Sequence, residues 1–377
     1  MTNLGLYFHI PFCRSKCGYC SFISGTNHEK MREYHQSILK NIVLHSTSHK
    51  DKTVDSIYFG GGTPSVYFDG GIKEILDAVM AHFNVSKDCE ISAEANPESL
   101  TAEKAAEWAA AGVNRVSIGL QSADDDLLKA IGRPHKFADF CNACDAAVNA
   151  GFKNISADIM LGLPNQTVEI LSDTIKVFYK SPFLRHLSIY ALKLEAGTPM
   201  YAKYAVNGGE NPKKSGLPDE DVAADMYDCA YKLLTEAGFA RYEVSNFAKS
   251  GFECRHNLKY WNLDEYLGIG VAAHSYYGGA RYAETEDIDK FIAGKKPKVT
   301  KISCKESRTE YIMLKLRQEK GINLGEFNKM FNYDLSKTDG AKFLSEHGLI
   351  DVTHDTLSIK KDKFYIMNSI ILKLNDF

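Results

Sequence analysis

From residue 6 to about residue 250 the chain alternates short apolar, β-branched runs with stretches of helical period, and this restricts it to α/β architectures. The strand candidates are 6–10, 56–59, 90–94, 115–121, 155–161 and 186–192, with helix candidates near 29–46, 71–83, 101–111, 137–150 and 167–180. Strands separated by a helix-length crossover pair in parallel. Three helical stretches end alike, Ala-Gly-Val at Gly112 and Ala-Gly-Phe at Gly151 and Gly238. Glycine just past a helix supplies the left-handed cap that turns the chain back towards a strand. Six such units in series give an open or partial barrel; on periodicity alone an open Rossmann-type sheet is the competing arrangement.

The polar, Gly- and Pro-rich segment 207–219 reads as an exposed loop, followed by a long amphipathic helix over 220–237. Near residue 300 the pattern changes. Helices are expected over 306–317, 324–331 and 340–347, and short strands over 349–352, 356–359 and 364–368. This divides the chain into a core over 1–295 and a small winged-helix-like domain over 300–377. Such domains often bind DNA, but this tail is not markedly basic and the whole chain carries a net charge of −3, so no nucleic-acid partner is expected. No run of eighteen apolar residues exists to span a bilayer, which leaves only peripheral membrane contact open. The N-terminus lacks the charged-then-apolar pattern of a signal peptide, and a cytoplasmic protein is expected.

Nine cysteines, an odd number at irregular spacing, point to metal binding or inert thiols rather than disulfides. Three crowd into His9-Ile-Pro-Phe-Cys13-Arg-Ser-Lys-Cys17-Gly-Tyr-Cys20. Spacings of four and three residues let one tight loop direct Cys13, Cys17 and Cys20 at a [4Fe–4S] cubane. Three ligands leave one iron open to chelate the amino and carboxylate groups of S-adenosylmethionine (SAM). An electron from the cluster then cleaves the sulfonium to methionine and a 5′-deoxyadenosyl radical, with the protein supplying position. A three-cysteine zinc site is the other reading, but zinc wants a fourth ligand, and His9 sits back on the preceding strand. Tyr19, just before the last cysteine, suits packing against adenine. Cys141 and Cys144 share an apolar helical face and read as small hydrophobes.

Gly60-Gly61-Gly62-Thr63-Pro64 follows the second strand directly, where glycine permits close backbone approach to a ligand, although a triple glycine is also an ordinary turn. Glu94, Gln121 and Asp158 fall at the C-terminal ends of successive strands, the end that carries chemistry in parallel barrels. Carboxylates there can accept from ribose hydroxyls or the SAM amino group, and Arg133 can pair with the SAM carboxylate. Each could equally be a solvated loop residue.

Five phrases carry a family resemblance: Tyr7-Phe-His-Ile-Pro-Phe-Cys13, Phe59-Gly-Gly-Gly-Thr-Pro-Ser65, Ser117-Ile-Gly-Leu-Gln-Ser122, Asp158-Ile-Met-Leu-Gly-Leu-Pro164 and His256-Asn-Leu-Lys-Tyr-Trp261. Through them the chain resembles the oxygen-independent coproporphyrinogen III oxidases and their relatives, the HemW heme chaperones. The resemblance implies an α/β fold, a partial (β/α)6 radical-SAM barrel with the cluster at its top. It implies SAM contacts at Tyr7, Gly61, Gly62, Thr63, Glu94, Gln121, Arg133 and Asp158, with Ala191 a weaker match. His274 should then lie near the SAM pocket.

Two departures separate the chain from the oxidases it resembles. They carry a fourth cysteine two residues after the third, where this chain has Phe22, as the chaperones do; they also carry an extension ahead of the cluster strand, whereas Tyr7 stands near the start here. The chaperone signature His-Asn-x-x-Tyr-Trp is present at His256, which the resemblance implicates in heme binding. An imidazole ligand, the flat rings of Tyr260 and Trp261 and the cation of Arg255 suit an iron porphyrin, with Cys254 a second candidate ligand. The same residues also suit a hydrogen-bonded barrel rim. The expected function is a heme chaperone that binds heme, cluster and SAM, takes electrons from a donor and passes heme to a client protein. The alternative is a coproporphyrinogen III dehydrogenase performing radical decarboxylation.

Overall fold

The computed structural model describes residues 2–179, 181–206 and 216–375, so most of the expected 207–219 loop lies outside the described residues. Six parallel strands form the core: β1 (Thr2–Ile10), β2 (Lys52–Gly61), β3 (Asn84–Ala95), β4 (Arg115–Gln121), β5 (Asn154–Leu161) and β6 (Leu184–Ala191). The crossovers carry α1 (Met31–Ser46), α2 (Gly71–His82), α3 (Ala102–Ala111), α4 (Asp125–Ala130), α5 (Phe137–Asn149) and α6 (Val168–Tyr179). Gly112, Gly151 and Gly238 all take positive φ, between 77° and 98°, as left-handed ends of helices require. The short α4 was not evident from periodicity, because six residues hold less than two helical turns.

The six strands pair in sequence order, β1 to β6, without the reversal that defines the Rossmann arrangement. The sheet is extended beyond β6 by β8 (Asn246–Ala248) and β7 (Ala240–Glu243). Beyond β1 it continues through β9 (Tyr266–Ile269), β10 (His274–Tyr277), β11 (Ala280–Ala283) and β12 (Lys298–Lys301). Among the described residues no ladder joins β7 to β12, and side chains from β2 through β6 nevertheless line one cavity. The parallel core is therefore a partial barrel.

Alternation along each strand decides what faces where. Leu4, Leu6, Phe8 and Ile10 of β1, Ile57 and Phe59 of β2, and Val116, Ile118 and Leu120 of β4 are fully buried in the apolar core under the helices. The opposite phase is polar: Ser56-x-Tyr58, Glu90-x-Ser92-x-Glu94, Arg115-x-Ser117, Ser156-x-Asp158 and His186-x-Ser188. Those residues bond between neighbouring strands on the inner face, Ser117 to Asp158 at 3.0 Å and Ser156 to His186 at 2.7 Å.

The C-terminal unit runs helix (Cys304–Lys315), strand (Ile322–Asn323), two helices (Leu324–Phe331, Asp339–Glu346) and two strands (Ile350–Val352, Thr356–Ile359), a winged-helix order. The strand expected over 364–368 is instead a 3-10 turn, Lys361–Ile366, leading into the helix Met367–Asn375. Burial of Met367, Ile370, Ile371 and Leu374 at three- and four-residue spacing explains why helix wins there. No helix among the described residues is long and apolar enough to cross a membrane.

Candidate functional site

The loop leaving β1 is fixed before it reaches the cysteines. Tyr34 donates to the carbonyl of His9 at 2.6 Å, and the Cys13 amide donates to Gly25 O at 2.9 Å. The His9 ring joins the Tyr7 hydroxyl at 3.1 Å through Nδ1 and Ile23 O at 2.8 Å through Nε2. With both ring nitrogens engaged, His9 anchors the loop and is no fourth zinc ligand. Cys13 and Cys17 are buried and Cys20 partly so. Among the described residues no three ligating side chains converge on one metal ion. A cubane takes each iron on a separate thiolate, so its ligands need not converge on one ion as zinc ligands do.

The three cysteines form one wall of a cavity of about 540 Å³, a size suited to a cofactor. The cavity is also lined by Tyr19, Gly61, Gly62, Thr63, Glu94, Gln121, Arg133, Asp158 and Ala191, so most of the expected contacts share one space. Gly61, Glu94, Gln121, Asp158 and Ala191 come from β2, β3, β4, β5 and β6, while Tyr19 comes from the cysteine loop, Gly62 and Thr63 from the turn after β2, and Arg133 from the segment after α4. At the end away from the cysteines, Ser188, Ser245 and Asn246 line the wall, with Asn246 Oδ1 buried and unpartnered.

The electrostatics suit a cationic ligand. Burial, with the neighbouring Asp158, pushes the Glu94 carboxyl up to about 7, against hydrogen bonds from Tyr58 and the Gly61 amide. Burial also raises Asp158, opposed by bonds from Ser188 and Ser117. Two buried carboxyls whose charged forms burial disfavours gain from a cation placed beside them. Gln121 holds a left-handed backbone at φ 69°, a strain on the order of 1 kcal/mol that aims it inward, where Tyr190 donates to its Oε1 at 2.8 Å. Arg133 donates through Nη2 to Asn96 Oδ1 at 2.9 Å and to Gly119 O at 2.7 Å, leaving its buried Nε without a partner for an incoming carboxylate.

The glycines serve a closer approach than the ligand alone. A Cβ on Gly61, at φ 109°, would stand 2.5 Å from the His9 ring, and one on Gly62 2.8 Å from Ile10 O. They let β2 pack against the cysteine loop as well as face the cavity.

Three expected residues lie elsewhere. Tyr7 is not on the cavity wall, since its hydroxyl is spent on His9. His274 is exposed on β10 and away from the cavity. His256 is fully buried near the N-terminal ends of the strands, in the helix Arg255–Asn262. Its Nδ1 joins Ser56 Oγ and its Nε2 the Tyr260 hydroxyl, both at 2.9 Å, leaving no ring nitrogen free for iron in this conformation. Burial, with Lys259 and Arg115 nearby, lowers its pKa to about 3. Glu90 accepts from the amides of Arg255 and His256 at 3.0 and 3.1 Å, capping that helix, and from Cys254 Sγ at 3.5 Å. Cys144 is buried in α5 and Cys141 exposed, neither near the cavity. Tyr58, Asn96, Ser188 and Tyr190 were missed; the polar phase of the strands marks Tyr58, Ser188 and Tyr190, while nothing in the sequence marks Asn96.

The family model of the Radical SAM superfamily matches residues 7–178. A heme chaperone HemW of Buchnera aphidicola is 35% identical over 341 residues, spanning 88% of this chain and 87% of that protein. The heme chaperone HemW of Bacillus subtilis is 34% identical over 360 residues, spanning 91% and 92%. Among solved structures, coproporphyrinogen III oxidase (HemN) from Escherichia coli superposes with a TM-score of 0.84 at 19% identity, covering 100% of this chain and 90% of that one. That likeness shows the fold.

Proposed function

The chain belongs to the radical SAM superfamily and, within it, to the HemW heme chaperones, and on that premise we propose that it binds heme and passes it to a client protein, with a [4Fe–4S] cluster and SAM seated in the cavity. The observation that carries this reading is identity above 30% with curated heme chaperones over nearly the whole of both chains. Cys13, Cys17 and Cys20 would hold the cluster, and the unpartnered edge of Arg133 would meet the SAM carboxylate. Glu94 and Asp158 would meet cationic and hydroxyl groups, with Gln121 beside them. Bound there, the cluster supplies one electron, taken from a separate donor protein. The reading places the protein in the cytoplasm.

For heme the supporting features lie at the cavity mouth. Phe22 is 67% exposed on the cluster loop, an open flat ring for a porphyrin, and Lys16, which donates to Phe22 O and Ser24 O, also lines the cavity and offers a cation to a propionate. The enclosed His256 lacks a free nitrogen for this purpose. The deciding experiment is anaerobic reconstitution followed by heme titration and a coproporphyrinogen assay on one sample. Saturable heme binding without porphyrinogen turnover supports the chaperone; turnover without heme binding rejects it.

A further inference from the structure

Two of the three cysteine sulfurs receive a hydrogen bond from a side chain that also bonds to Asn96, and Gly119 O gives one of the two, Arg133, a further anchor. Thr63 Oγ1 donates to Cys13 Sγ at 3.4 Å, and Arg133 Nη1 donates to Cys17 Sγ at 3.5 Å. Asn96, just beyond β3, touches both donors. Its Oδ1 accepts from Arg133 Nη2 at 2.9 Å and its Nδ2 donates to Thr63 Oγ1 at 3.3 Å. The amide orientation follows from chemistry, because a guanidinium only donates and so must face the oxygen. The Thr63 hydroxyl accepts from Asn96 and keeps its own proton for the sulfur. Asn96 is itself fixed by its backbone amide on Ser65 Oγ at 3.2 Å, and Glu98 accepts from the same Nδ2 at 3.2 Å. The geometry is a relay, Arg133 to Asn96 to Thr63, with one arm ending on each of two thiolates.

Resting on the cluster reading above, we propose that Asn96 is a positioning residue that raises the reduction potential of the [4Fe–4S] cluster by holding Thr63 and Arg133 against the Cys13 and Cys17 sulfurs. Reduction adds one electron, supplied by an external one-electron reductant, and part of that charge falls on the cysteine sulfurs. Donors aimed at those sulfurs stabilise the reduced state more than the oxidised one, which is how hydrogen bonding tunes iron–sulfur potentials. The Asn96 side chain itself touches neither sulfur in this geometry, so its effect passes through its partners.

The test uses anaerobically reconstituted full-length protein without SAM, titrated with mediated dithionite and followed by electron paramagnetic resonance. Asn96→Leu removes both contacts at nearly constant volume and charge, and Thr63→Val removes only the arm to Cys13. Each variant should retain wild-type iron content and shift the potential to more negative values. Iron–sulfur stretching bands in resonance Raman should shift with it, a signature that loss of fold stability alone would not produce. The double variant should shift by less than the sum, because Asn96 acts partly through Thr63. An unchanged potential in Asn96→Leu, or strictly additive shifts, overturns the relay. If Asn96→Leu does not hold iron, Thr63→Val decides, and an unchanged potential there removes the Cys13 arm and with it the proposal. Failure of the wild-type protein to bind four irons would instead reject the cluster reading itself.

Discussion

Tyr58 donates to Glu94 Oε1 at 2.9 Å, and the pair sits where β2 and β3 open into the cavity. Even with that bond, burial and Asp158 push the Glu94 carboxyl up to about 7 from its ordinary 4.5. Between those values the folded protein holds a proton that the unfolded chain has released. Folding stability therefore falls as pH rises through the window, by on the order of 3 kcal/mol from Glu94 at full shift. Glu243, also raised to about 7 by burial, adds to the same slope. Glu94→Gln should flatten part of that decline, so that cluster-free protein melts higher than wild type at pH values above about 7. The same substitution should weaken SAM binding by roughly 1–3 kcal/mol, the cost of losing a buried polar contact. Calorimetry of both quantities checks this: parallel melting profiles, or unchanged SAM affinity, would remove Glu94 from its assigned place.

The strands were legible because their outward phase is an uninterrupted apolar set, such as Leu4, Leu6, Phe8 and Ile10. The inward phase was harder to see. Residues such as Ser56, Glu90, Arg115 and His186 look like interruptions of apolar runs until the sheet is known to curl around a polar interior. The cysteines announced themselves by spacing. Asn96 did not, since its meaning lies in contacts to residues 33 and 37 positions away. His256 shows how a local pattern leaves two readings open. Its polar-aromatic surroundings suit a porphyrin, yet Ser56 and Tyr260 use both ring nitrogens inside the barrel.

Separate thiolates for separate irons make each cluster cysteine necessary. Cys13→Ala, Cys17→Ala and Cys20→Ala should each lose most of the roughly four irons held by reconstituted wild-type protein and its broad charge-transfer absorption. Cys141→Ala and Cys144→Ala should keep both, because neither sulfur reaches the cavity. Iron analysis with visible spectroscopy decides, and full cluster retention in Cys17→Ala would overturn the ligand set.

Phe22 occupies an exposed position two residues after Cys20, where the oxidases this chain resembles place a cysteine. Under anaerobic reducing conditions with SAM, the protein should not convert coproporphyrinogen III to protoporphyrinogen IX. Product chromatography settles the matter. Multiple turnovers would place the chain with the oxidases in activity as well as fold.

Heme binding separates two places in the structure. At the cavity mouth, Phe22 offers an open aromatic face, and its replacement by serine removes that face without touching a buried contact. Phe22→Ser should weaken heme affinity several-fold, in line with the 0.5–1.5 kcal/mol or so of an aromatic pair, while iron content and melting temperature stay near wild type. His256→Ala should do the reverse. It strips hydrogen-bond partners from the Ser56 and Tyr260 hydroxyls in a fully buried setting, a loss of roughly 1–3 kcal/mol of stability. Its Soret position and heme affinity should match wild type, because the imidazole has no free nitrogen to give the iron. Heme titration and thermal melts on the two variants form a crossed design in which each substitution is the control for the other. A His256→Ala protein that melts like wild type but loses its Soret shift would mean that the Arg255–Asn262 helix leaves the barrel floor to ligate heme, and the seat at Phe22 would be abandoned.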